Sequence, residues 1–174
     1  ADPYAGNEGA ASGALDNLRT YSAKPMVKQT LTDTAGVRKM SSNPVNWATN
    51  SGWYVDLPDN GERVSIDATL VLGTLVVSSN VVNSTIADVC SVNGYSWMYQ
   101  LNYKDGTSIP TAPNQAAGVK VPGSLVVGSV VVRLPSGLLK AITTTAKGDK
   151  IPYGLNISSS SVLGKRISWR EVPQ

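Results

Sequence analysis

The sequence predicts an all-β protein, a partial β-propeller-like array of antiparallel sheets with about three blades. Three observations carry that expectation: a β-prone composition, a strand-built repeat in the middle of the chain, and no segment with helical periodicity. Of 174 residues, 21 are Val, 20 Ser, 13 Thr and 12 Asn, while charged side chains make up only 16%, well under the roughly 25% of ordinary soluble domains. Branched and hydroxylated side chains pack well on a pleated surface and crowd a helix. The length suits one domain with a real core.

The repeat has two parts. Residues 69–77 read Thr-Leu-Val-Leu-Gly-Thr-Leu-Val-Val, and residues 124–132, 55 positions on, read Ser-Leu-Val-Val-Gly-Ser-Val-Val-Val. Hydroxyl, apolar run, central Gly and second hydroxyl coincide. Ahead of them stand two aromatic strands with following turns: Trp53 to Leu57 before Pro58-Asp59-Asn60-Gly61, and Trp97 to Leu101 before Tyr103-Lys104-Asp105-Gly106. Asx-Gly pairs supply positive φ at little steric cost. Gly73 and Gly128 are expected to mark a kink, bulge or turn. A blade consumes about 40–50 residues and a closed propeller needs at least about four. This chain holds too few, so its edges are expected to seek a partner.

The other elements follow in order. Residues 1–14 are small and polar and read as a flexible N-terminal arm, leaving 15–174 as a single β domain. Lys28 to Thr34 and Val37 to Ser41 flank Gly36 as a hairpin. Thr107–Pro122 and Ser158–Ser161 read as loops. Ser136-Gly137 and Lys147-Gly148-Asp149 are turn signals around a strand from Leu138 to Thr145. Ile167 to Val172 is expected as a short terminal strand carrying Trp169.

Charge and composition exclude several functions. The chain has 15 basic and 12 acidic residues, net +3, and no His. Ser-His-Asp hydrolysis and His-containing zinc sites are therefore impossible within it. The densest basic groups, Arg38-Lys39 and Lys165-Arg166, are no nucleic-acid footprint. No apolar run approaches the roughly 20 residues of a membrane span. The opening Ala1-Asp2-Pro3-Tyr4 lacks signal-peptide character, so a mature or excised piece is expected. Cys90 is the single cysteine. It reads as a reactive thiol, a buried hydrophobe, or half of an intermolecular disulfide.

Gly52-Trp53-Tyr54-Val55-Asp56-Leu57-Pro58-Asp59-Asn60-Gly61-Glu62-Arg63-Val64 resembles the signature of the PilY1/PilC family, the type IV pilus tip-associated adhesins and biogenesis factors. Four further stretches are similar to that family in the same order. They are Val27 to Thr32, Ser41 to Trp47, Cys90 with Gly94-Tyr95-Ser96-Trp97, and Gly164 to Glu171 with Trp169, Arg170 and Glu171. The resemblance implies the C-terminal portion of a PilY1-type propeller, without its earlier blades. It also implies a pilus-borne, extracytoplasmic protein that reaches the cell surface via the periplasm. Its partners would be pilins, minor pilins or the remainder of a PilY1-type protein, with a host or surface receptor beyond. The family's calcium loop is not evident. Residues 102–122 carry Asp105 as their one carboxylate, and calcium takes six to eight oxygens.

No catalytic set, metal site or cofactor is expected, and the chain reads as a non-enzyme. Trp47, Trp53, Trp97 and Trp169 read as blade core rather than a sugar platform. Asp56, Glu62 and Arg63 read as a structural Arg–carboxylate pair holding the signature turn. Lys147-Gly148-Asp149 resembles an integrin-type tripeptide, and Asn83-Ser84-Thr85 and Asn156-Ile157-Ser158 match the N-glycosylation pattern. The expected function is docking to pilins in pilus assembly or adhesion. The alternatives are a β-rich subunit that forms or coats a filament with a separate helical pilin, and a carbohydrate-binding propeller fragment.

Overall fold

The computed structural model describes Arg19 and residues 24–82 and 94–157. The expected arm, Cys90, the glycosylation pattern at Asn83, the terminal strand, and Trp169, Arg170 and Glu171 lie outside the described residues. Within them the chain is an all-β, open array of antiparallel sheets, and no closed barrel forms. The large sheet has the order β2 (Leu31–Thr34), β3 (Val37–Met40), β9 (Ala116–Val121), β8 (Gly94–Asn102), β7 (Thr74–Val82), β5 (Arg63–Val64), with β6 (Thr69–Val71) also on β7. A second sheet is β10 (Val126–Arg133), β11 (Leu139–Thr145) and β12 (Lys150–Gly154). The third is a short parallel pair, β1 (Val27–Gln29) with β4 (Trp53–Val55).

The hairpins form where the sequence places positive φ. Ala35 (φ 52°) and Gly36 (φ 80°) join β2 to β3, and Leu72 (φ 47°) and Gly73 (φ 79°) join β6 to β7. Both two-residue loops have the left-handed pair that matches strand twist. Strands β10 and β11 meet at Gly137, and β11 and β12 at Gly148, both at positive φ, as the turn signals predict.

Alternation along β8 sets up two cores. Met98 packs with Val76, Val121, Val126 and Ala141, between the large and the three-stranded sheets. On the opposite face Trp97, Tyr99, Leu101 and Ala117 pack with Leu31, Met40, Trp53 and Leu57. A strand buried on both faces reads as a continuous run of large side chains, and Trp97 to Leu101 does so.

Three expectations change. Residues 116–121 of the expected long loop are strand β9, inside the large sheet between β3 and β8. Ala-Ala-Gly-Val-Lys-Val is a weak strand former, but a Cβ on Gly118 would stand 2.7 Å from the Tyr99 ring. The small residue is what lets that ring lie across the strand. The matched halves of the repeat also differ locally. Gly73 turns a hairpin, whereas Gly128 sits inside β10 at a register shift against β11. Cross-strand neighbours, not the short apolar motif, decide between turn and bulge. Thirdly, Trp47 is 52% exposed rather than core, because it lies on the turn after Asn46 instead of on a strand.

Candidate functional site

The signature closes over the face of the large sheet that carries Trp97 and Tyr99. The turn at Pro58 to Gly61 is held by Glu62 N–H donating to Asp59 O at 3.1 Å, with Gly61 at φ 73°. It lowers two carboxylates onto Arg38 of β3. Arg38 shares the pleat face of Met40 and lies opposite Gly118 in register, so its chain projects into an apolar layer.

There the guanidinium is fully buried and stacks on the Trp97 ring, 3.8 Å from the centroid. Its Nη1 donates to both Glu62 oxygens at 2.8 Å, and its Nη2 lies 2.7 Å from Asp59 Oδ2. The Glu62 carboxylate is wholly buried. It also accepts from Tyr99 Oη at 2.7 Å, from Ser79 Oγ, and from Asp59 N–H at 3.3 Å. Asp59 Oδ2 accepts from Tyr95 Oη and Trp97 Nε1, both at 2.9 Å. Lys120 places its ammonium 3.7 Å over the Tyr95 ring. A buried cation is tolerated because two carboxylates, themselves held by three aromatic donors, neutralise it.

The pKa directions follow from those contacts. Burial alone would raise the Asp59 carboxyl, but the Trp97 and Tyr95 donors and the Arg38 charge outweigh it and hold the group below its ordinary 3.8. Burial, and then the bond to Glu62, push Tyr99 well above 10, so it stays a neutral donor. A depressed carboxyl contributes stability that is complete above the unfolded value of about 3.9 and is lost as pH falls through the folded one. Urea unfolding at pH 7, 4 and 3 should therefore show the wild type weakening below pH 4 more steeply than Asp59→Asn. Equal slopes would refute that assignment.

The structure thus brings Asp59 and Glu62 together and separates the other expected partners. Arg63 is exposed and is not the arginine of the pair; it follows Glu62 directly, and strand alternation turns it to the other face. Asp56 is exposed on the surface, 2.9 Å from both Arg19 and Lys28. Arg19 also covers the Tyr54 ring at 4.7 Å. Trp53 is half-buried and donates Nε1–H to Tyr103 O at 3.0 Å. A Cβ on Gly106 would stand 2.4 Å from its ring. The first aromatic strand therefore packs its Trp53 ring on the turn that follows the second. Leu57 joins the same core, and Gly52 is buried beside the Met26 side chain.

Asp105 is used locally, since its Oδ1 accepts from Thr107 N–H and Oγ1 at 3.1 and 2.8 Å. Gln29, absent from the sequence reading, is fully buried and ties two loops together. Its amide donates to Asn43 O and Asp105 O at 2.7 and 2.8 Å, and its oxygen accepts from Ser41 Oγ and Asn43 N–H.

Arg38 is the residue sequence reading missed, taken only as part of a basic dipeptide. Its signal was present in Val-Arg-Lys-Met, where alternation sets Arg38 in step with apolar Met40 and so demands a buried counter-charge. The arrangement holds the signature shut and leaves no carboxylate pair facing a cleft among the described residues. No family model, curated protein or solved structure matches the chain.

Proposed function

We propose that this chain is a non-enzymatic, extracytoplasmic component of a type IV pilus, acting by protein–protein docking to pilins in assembly or adhesion. The residue-level resemblance to the PilY1/PilC family supports this reading. One structural observation supports the non-enzymatic part: Glu62, an acidic residue of the signature, is wholly buried with both oxygens bound by Arg38. General acid–base work needs a group within reach of substrate. Rigid sheet edges and loops are what such a molecule has to offer a partner.

The alternative to a tip or assembly factor is a repeating subunit of a filament. Quantitative mass spectrometry of sheared, purified pili separates the two. The tip or assembly factor predicts a few copies per pilus against the major pilin. A fixed ratio along the fibre would replace it with the filament subunit, and absence from pili would overturn both.

A further inference from the structure

We propose that β10 is a dimerisation strand: two copies of this chain pair their β10 edges antiparallel across a two-fold axis, joining the three-stranded sheets into one. This goes beyond the pilus reading and does not rest on it.

The hydrogen-bond phase of the sheet shows which backbone groups of β10 point away from β11. Leu134 N–H donates to Leu138 O at 2.8 Å. Val132↔Lys140, Val130↔Ile142 and Gly128↔Thr144 are in step with that pair, so these positions exchange bonds with β11. The intervening Ser129, Val131 and Arg133 point N–H and C=O away from β11. Leu155 N–H donating to Leu139 O at 3.1 Å confirms the same alternation across β11. Nearer the start of the strand, Val126 is already satisfied, its N–H on Asn80 Oδ1 at 3.0 Å and its C=O on Asn80 Nδ2 at 2.9 Å. Among the described residues, the stretch of edge without a neighbouring strand therefore runs from Ser129 to Arg133.

Other edges among the described residues are guarded. On β12 the outward positions are Lys150, Pro152 and Gly154. Pro152 has no N–H, and Gly154 O accepts from Gln100 Nε2 at 2.8 Å. Strand β2 is four residues long and carries Asp33, β1, β4 and β6 have three residues each, and β5 has two. Strand β10 has eight residues, no Pro and a single charge at its end. Proteins blunt the edges they do not use, so an unguarded edge beside guarded ones points to an edge in use.

The occupant is a second copy because the edge complements itself. Antiparallel self-pairing satisfies each outward N–H and C=O reciprocally, as a closed two-fold contact requires. It sets Arg133 of one copy opposite the Ser129 end of the other. Parallel pairing would set Arg133 against Arg133, and like charges directly opposite are destabilising. On the outer face Val130 is 56% exposed and lies in register with Ile142 and Pro152. That register sets Val130 of each copy directly opposite Val132 of the other and diagonal to the other Val130, and makes the apolar row continuous.

The test is the mass of the full chain in solution by light scattering and sedimentation equilibrium, with the β signal in circular dichroism checked for every variant. The wild type should be a dimer that dissociates on dilution. Val130→Lys and Val130→Asp change an exposed side chain, so each should fold and self-associate at least about tenfold more weakly through like-charge repulsion. An equimolar mixture of the two should recover the dimer. A monomeric wild type, an open-ended oligomer, or a dimer indifferent to both substitutions overturns the proposal. These masses read nothing about pili, so failure here leaves the copy-number experiment to judge the pilus reading separately.

Discussion

Replacing Glu62 with Ala lowers the free energy of unfolding by about 3–5 kcal/mol, because it strands the buried Arg38 guanidinium without its main counter-charge. The carboxylate it removes is wholly buried and accepts from Arg38, Tyr99 and Ser79. Asp59 remains, but it meets Arg38 through Nη2 alone. Urea unfolding followed by tryptophan emission and circular dichroism reads the loss. The double variant Arg38→Met with Glu62→Leu should recover much of it, since removing both charges removes the desolvation cost as well. A loss below about 1 kcal/mol for Glu62→Ala would mean that the pair behaves as a solvated surface bridge. The folded signature would then have to be held by packing alone.

Trp97→Ala is the second large effect, about 3–5 kcal/mol, the ordinary cost of emptying a fully buried aromatic site. Trp97 has no exposed surface, stacks under Arg38 and donates to Asp59. Trp97→Phe separates these contributions. It keeps most of the ring and loses the donor to a carboxylate, a bond worth about 1.5–3 kcal/mol. The two sites share Arg38, so Trp97→Phe and Glu62→Ala should not add when combined. Strict additivity in that double-mutant cycle would show that the arginine does not couple them.

Much of the strand inventory was legible because it rests on local chemistry. Ala35-Gly36, Ser136-Gly137 and Lys147-Gly148 sit at turns because positive φ or a tight reversal selects them wherever they occur. The aromatic run from Trp97 to Leu101 likewise marked a strand. Strand β9 was not legible. Its Ala and Gly residues have little strand preference, and only the Tyr99 ring across Gly118 gives them a reason to be there.

The candidate site divides in the same way. That a charged pair anchors the signature turn was readable from acidic residues beside an Asx-Gly turn, but the nearest arginine in sequence, Arg63, is not the partner. Arg38 stands 24 positions before Glu62 and reaches it only because β3 joins the sheet through β9, next to β8. The alternation of Trp and Tyr along β8 then supplies the stacking ring and the donor hydroxyls on one face.

Composition, turn chemistry and side-chain alternation, acting over a few residues, therefore made this an all-β chain with its hairpins where they are. Which cation neutralises Glu62, whether a central glycine turns or bulges, and which edge is left unguarded were decided by strand order. Those outcomes depend on contacts between residues distant in the chain, and no local preference can encode them.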